Sequence, residues 1–111
     1  MFNEISLNDR FDLNKKMVLL SGTQALVRAV LMQAARDKNN NILSAGYVTG
    51  YRGSPLGALD QQFDRAKEEI ALRNIRFQPG LNEDSAATAL WGAQQAELRG
   101  EGRYQGVFGL W

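Results

Sequence analysis

Two short stretches of this sequence hold residue types that could do chemistry together: Gly50-Tyr51-Arg52-Gly53-Ser54-Pro55 and Pro79-Gly80-Leu81-Asn82-Glu83-Asp84. In the first, Gly50 and Gly53 let backbone approach a ligand closely. Ser54 offers a hydroxyl, and a helix starting near Pro55 turns unpaired N–H groups toward an anion. Tyr51 and Arg52 either line such a site or face solvent. In the second, Glu83 is the candidate for proton chemistry, because a carboxylate held away from water has a raised pKa and can share a proton with a ring nitrogen. Each stretch also has an ordinary reading. The first makes a tight strand-to-helix turn. In the second, Asn82 caps a helix whose first-turn acids, Glu83 and Asp84, complement its dipole.

Composition narrows the chemistry further. The 111 residues include no cysteine and no histidine. Disulfides, a thiol nucleophile and a cysteine-held iron–sulfur cluster are therefore excluded within this stretch, and so is the usual neutral-pH acid–base residue. Proton chemistry must rest on carboxylates, Lys, Tyr or a cofactor. Thirteen basic and 12 acidic residues leave a net charge of +1, with no basic excess to recommend nucleic acid or an anionic membrane. The polar leader, residues 1–16, has no apolar run suited to a signal peptide, and no stretch is long enough to cross a bilayer. A cytoplasmic protein is the expectation. The chain stops at Val107-Phe108-Gly109-Leu110-Trp111, which reads as a buried strand without a polar tail, so a chain cut short is expected.

The elements that must position the two stretches alternate. Met17–Leu20 reads as a first strand, and Thr23 as the cap of a helix running to about Asp37, with Leu26, Val27, Val30, Leu31 and Ala34 at helical spacing. Ser44–Thr49 reads as a second strand. Leu56, Leu59, Phe63, Ala66 and Ile70 mark the core face of a helix reaching about Arg73. Ile75–Gln78 is a third strand, an Ala-rich helix spans Glu83 to about Leu98, and Gln105–Trp111 starts a fourth strand. Trp91 reads as a packing residue. The pattern predicts the α/β class, an open and mostly parallel sheet with flanking helices. Ligands in such sheets bind beyond the C-terminal ends of strands, where both stretches fall.

Familiar glycine motifs do not account for the first stretch. Gly-x-Gly-x-x-Gly is absent, and no Gly-Lys-Ser/Thr makes a phosphate-binding P-loop. Gly50-Tyr51-Arg52-Gly53 matches the four-residue loop of the KH RNA-binding module, but that loop joins two helices and this one leaves a strand.

Gly22-Thr23-Gln24-Ala25-Leu26, then Gly50 to Pro55, then Asn82-Glu83-Asp84 with Ala86 and Ala87, follow the order and spacing of one known family. The chain resembles the thiamine-diphosphate pyrimidine-binding domain of indolepyruvate:ferredoxin oxidoreductases, in their fused-chain form, from about Leu7 to Trp111. Phe77-Gln78-Pro79-Gly80 and Gly106-Val107-Phe108-Gly109 add to the likeness. The resemblance implies a truncated pyrimidine domain over residues 17–111, behind the leader.

The resemblance also implies an activity. Such enzymes oxidatively decarboxylate a 2-oxo acid, often an aryl pyruvate, to an acyl-CoA, with coenzyme A as co-substrate and electrons passing through iron–sulfur chemistry to ferredoxin. Glu83 matches the carboxylate that hydrogen-bonds the pyrimidine nitrogen and favours the imino tautomer, whose nitrogen takes the thiazolium proton. Gly50, Tyr51, Arg52, Gly53, Ser54 and Pro55 match the turn lining cofactor and substrate, with Asn82 beside Glu83. Arg52 departs from the Pro common among relatives. The motif for the diphosphate and Mg²⁺ is missing, as are the cluster cysteines. Those parts, the rest of the same polypeptide and a homodimer partner are expected elsewhere, and this piece alone is expected to be inactive. Another thiamine-diphosphate enzyme (transketolase-like or a decarboxylase) and a non-catalytic small α/β binding module are the alternatives.

Overall fold

Three short strands, β1 (Ser44–Val48), β2 (Ile75–Phe77) and β3 (Gly106–Leu110), form an all-parallel sheet of order β2-β1-β3 in the computed structural model, which describes residues 4–111. Four α-helices surround it: α1 (Gly22–Asn39), α2 (Leu59–Arg65), α3 (Lys67–Ala71) and α4 (Glu83–Gln94). The fold is α/β, with an open parallel sheet flanked by helices. Among the described residues no helix is long and apolar enough to cross a membrane.

Register decides which residues share a face. Gly46 pairs with Ile75 and Phe108, and Val48 pairs with Phe77 and Leu110. Because side chains alternate along a strand, these six lie on one side. There Val48 and Ile75 join Val27, Val30 and Leu31 of α1, Phe63 of α2 and Ile70 of α3 in a single core. Gly46 is needed at its centre, since an added Cβ would stand 2.6 Å from the Phe108 ring. Phe63 and Phe77 stack with centroids 5.2 Å apart. Ala45, Tyr47, Val107 and Gly109 face the other way, and α4 lies on that side with Leu90 pressed against Gly109.

Several expectations are corrected. Met17–Leu20 is not a strand: among the described residues it has no ladder partner, and Met17 and Leu19 are exposed. Four apolar residues gain little from extended structure without a ladder partner. Ser21, not Thr23, caps α1. Its Oγ accepts from the Gln24 N–H while Gln24 Oε1 accepts from the Ser21 N–H, a reciprocal box that starts the helix at Gly22.

The single helix expected from Leu56 to Arg73 starts only at Leu59 and divides at Ala66. Gly53 (φ 91°) and Ala58 (φ 70°) are left-handed, which holds the intervening residues as loop. Leu56 is accordingly exposed, whereas Phe63, Ala66 and Ile70 are core. α4 ends at Gln94 rather than near Leu98, and Trp91 on it is 66% exposed, so it is not a packing residue. β3 lies at the edge of the sheet and is half-buried, not buried.

The leader is fastened to the domain. Residues 1–3 lie outside the described residues. Leu7–Phe11 forms a 3₁₀ turn capped by Ser6. Arg28 of α1, 8% exposed, donates from Nη1 to the carbonyls of Asp9, Arg10 and Asp12 and from Nη2 to that of Lys15, at 3.0–3.1 Å. Lys15 Nζ lies 2.7 Å from Asp9 Oδ1. That hydrogen bond, helped by one from the Ser6 N–H, holds the Asp9 carboxyl below its ordinary value of 3.8.

Candidate functional site

From β1 the chain connects to β2 on one side, then crosses past β1 to reach β3 on the other. The order reverses between β1 and β3, and the crevice beyond their C-terminal ends is where open parallel sheets hold ligands. The loops after β1 and β2 meet there because the ladder continues into them. The Gln78 N–H donates to the Val48 carbonyl at 2.9 Å, and the Gly80 N–H donates to the Gly50 carbonyl at 2.6 Å. Tyr51 and Gly80 form a parallel bridge. Buried Thr49 ties all three strands, its hydroxyl donating to the Gln78 carbonyl at 2.8 Å and its N–H to the Leu110 carbonyl at 3.0 Å.

α4 starts directly behind this seam. Asn82 Oδ1 accepts from the Ser85 N–H at 2.8 Å, and Ser85 Oγ accepts from the N–H groups of Leu81 and Asn82. The helix therefore starts at Glu83. Gly80 abuts Ala86 so closely that a Cβ would stand 2.8 Å from the Ala86 Cβ. This contact sets the height of the first turn. The Tyr51 hydroxyl then donates to Glu83 Oε1 at 2.8 Å, joining residues 32 apart in sequence. Donation to Glu83 raises the Tyr51 phenol above its ordinary value of 10.0, with burial and the Glu83 charge adding to the same direction. Among the described residues Glu83 Oε2 accepts no hydrogen bond.

A cavity of about 580 Å³ opens at this point. Its walls include Leu26, Phe63, Phe77, Leu110 and Trp111, and Tyr51, Ser54, Arg52, Asp60 and Glu83 bring polar groups to it. The structure brings Gly50, Tyr51, Arg52, Gly53, Ser54, Pro55 and Glu83 together on its lining. Asn82 does not line it, because its side chain is engaged as the cap. Gly53 needs to be glycine for its positive φ, but Gly50 has an ordinary φ and room for a Cβ. Glu83 is exposed. The water-excluded setting expected around this carboxylate is thus not built by the described residues.

The apolar walls and Asp60 were not legible as site residues. Leu26, Phe63 and Phe77 carry only the periodicity of core positions, and Asp60 only a first-turn acid. Arg52 Nε lies 3.7 Å from Asp60 Oδ2, with side-chain exposures of 78% and 34%. Chemically, the cavity offers a largely apolar recess beside a carboxylate anchored by a phenol, a donor set suited to a small heteroaromatic ring. No protein family, curated protein or solved structure matches the chain.

Proposed function

We propose that this chain binds the aminopyrimidine of thiamine diphosphate as part of a 2-oxoacid:ferredoxin oxidoreductase acting on an aryl pyruvate or related acid. The observation that carries the reading is the contact between Tyr51 of the glycine loop and Glu83 at the start of α4. It joins the carboxylate to the loop that lines the cavity at the sheet's C-terminal edge. The donor set fits the group: Oε1 is held by Tyr51, Oε2 has no protein partner among the described residues, and the adjoining walls are apolar and aromatic.

Bound thiamine diphosphate supplies its own base and a carbon nucleophile for decarboxylation. This chain's part is to bind and orient. Glu83 Oε2 would accept from a ring N–H and hold a share of that proton, while Tyr51 fixes the carboxylate's rotamer and the Gly80–Ala86 contact fixes α4. Covering the exposed Glu83 falls to the rest of the polypeptide or a second copy, which would strengthen the hydrogen bond by excluding water. Mg²⁺, the iron–sulfur cluster, coenzyme A and ferredoxin are engaged outside these residues, in a cytoplasmic enzyme.

Calorimetric titration with thiamine tests the reading. Wild type should bind, and Glu83→Gln should weaken binding roughly ten- to a hundredfold, the range for a hydrogen bond involving a charged group. Equal binding by both proteins would overturn it.

A further inference from the structure

We propose that residues 54–58 form a lid over the cavity, able to wind as one further turn of α2 and carry Leu56 into the opening. All five residues line that cavity. Their sequence suits the wound form. Ser54 is a capping residue type, and Pro55 suits a first helical position because it has no N–H to leave unpaired. Leu56 falls three residues before Leu59 and seven before Phe63, which is helical spacing. The structure holds the other form. α2 starts at Leu59 behind Ala58, which is left-handed (φ 70°) and supplies no side-chain cap. Among the described residues the N–H groups of Leu59, Asp60 and Gln61 donate no hydrogen bond, and Leu56 is 52% exposed.

Each form has what the other lacks. Winding removes a left-handed alanine, adds the Ser54 cap and gives the Leu59 and Asp60 N–H groups carbonyl partners at Pro55 and Leu56. The open form keeps Gly57 out of a helix and spares chain entropy. Opposing terms of this kind leave a segment with two accessible arrangements. The flanks are placed for the change. Tyr51 is held by its bridge to Gly80 and its bond to Glu83, Gly53 (φ 91°) is a hinge without a Cβ, and Phe63 fixes α2 in the core. On a wound turn Leu56 shares the α2 face of Leu59 and Phe63, which both line the cavity. Its side chain then stands in the mouth and shields Trp111, a wall residue now 58% exposed.

The test uses two substitutions that oppose each other. Gly57 has no positive φ and has open space for a Cβ, so Gly57→Ala leaves the open form intact and favours the wound one roughly fivefold. Ala58→Gly relieves the left-handed residue and weakens the helix, favouring the open form roughly tenfold. The Cα resonances of Pro55 and Leu56 should move toward helical values in Gly57→Ala, and adding Ala58→Gly should reverse the move. In a Trp91→Phe background Trp111 is the one remaining tryptophan. There Gly57→Ala should lower acrylamide quenching, and adding Leu56→Ala should restore it. Unmoved resonances in Gly57→Ala, or helical shifts that survive Ala58→Gly, overturn the winding. Moved resonances with unchanged quenching, or quenching that Leu56→Ala fails to restore, overturn the lid. These samples contain no thiamine, so their outcome is separable from that of the Glu83 experiment.

Discussion

Replacing Gly80 by alanine should loosen the site without touching a polar group. An added Cβ would meet Ala86 at 2.8 Å to its Cβ, 3.1 Å to its Cα and 3.2 Å to its N. Unstrained carbon contacts lie at about 3.5–4.0 Å, so the first turn of α4 must retreat by roughly 1 Å. Ala86 is fully buried, and backbone cannot rotate aside as a long side chain could. Overpacking of this kind costs about 1–3 kcal/mol. For a chain near 100 residues, that lowers the melting temperature by about 4–20 °C.

The retreat carries Glu83, at the head of the same turn, away from the Tyr51 hydroxyl now 2.8 Å from it. Thermal unfolding by circular dichroism reads the first effect. Ultraviolet titration of the tyrosines reads the second, as Tyr51 returns toward its ordinary phenol value. Ala86→Gly in the Gly80→Ala background removes the worst overlap, so the double mutant should be more stable than the sum of the single effects. If Gly80→Ala melts with wild type, or if Tyr51 still titrates late in it, the seam does not position Glu83 as argued.

Other outcomes follow from the same contacts. Glu83→Gln should lower the Tyr51 phenol toward 10.0, because its causes are donation to Glu83 and that residue's charge. Because the folded value is raised, the stabilisation from this contact is complete below the unfolded phenol value and is lost as pH rises through the folded one. A pH series of urea midpoints should show that alkaline loss in wild type and not in Tyr51→Phe.

Asp9 has the opposite sign. Its value is lowered chiefly by Lys15, so its contribution is present above 3.8 and lost as pH falls through the folded value. Lys15→Met should flatten the acid limb of the same series. Arg28→Ala should strip the carbonyls of Asp9, Arg10, Asp12 and Lys15 of their donor. A loss of about 2 kcal/mol, limited by hydration of the freed leader, should appear in urea unfolding. Trypsin should then cut faster after Arg10, Lys15 and Lys16.

The sequence marked α1 well, because Val27, Val30, Leu31 and Ala34 repeat at helical spacing and all four are buried. It also marked β1, β2 and the Asn82 cap, whose signals lie within a few residues. What it concealed was set by distant partners. Met17–Leu20 has a strand's composition, but only a neighbouring ladder could have made it one. Nothing in the sequence marks Arg28, because its carbonyl partners in residues 9–15 have no side-chain signature. The division of α2 from α3 at Ala66 follows from backbone angles that alanine does not announce.

Of the candidate site, the two loops were legible as neighbours from strand-helix alternation. The Tyr51–Glu83 contact was not, because it depends on the register that puts Tyr51 opposite Gly80. The cavity's aromatic wall was hidden for a different reason. A residue on a core face looks the same in sequence whether it meets another side chain or an opening.

The most direct test of the account is amide resonance mapping of the chain during addition of thiamine diphosphate. In wild type, the largest shifts should cluster at Gly50, Tyr51, Gly53, Gly80 and Glu83, and they should vanish in Glu83→Gln while the rest of the spectrum stays folded. Shifts confined to other surfaces, or shifts at these residues that persist in Glu83→Gln, would contradict it.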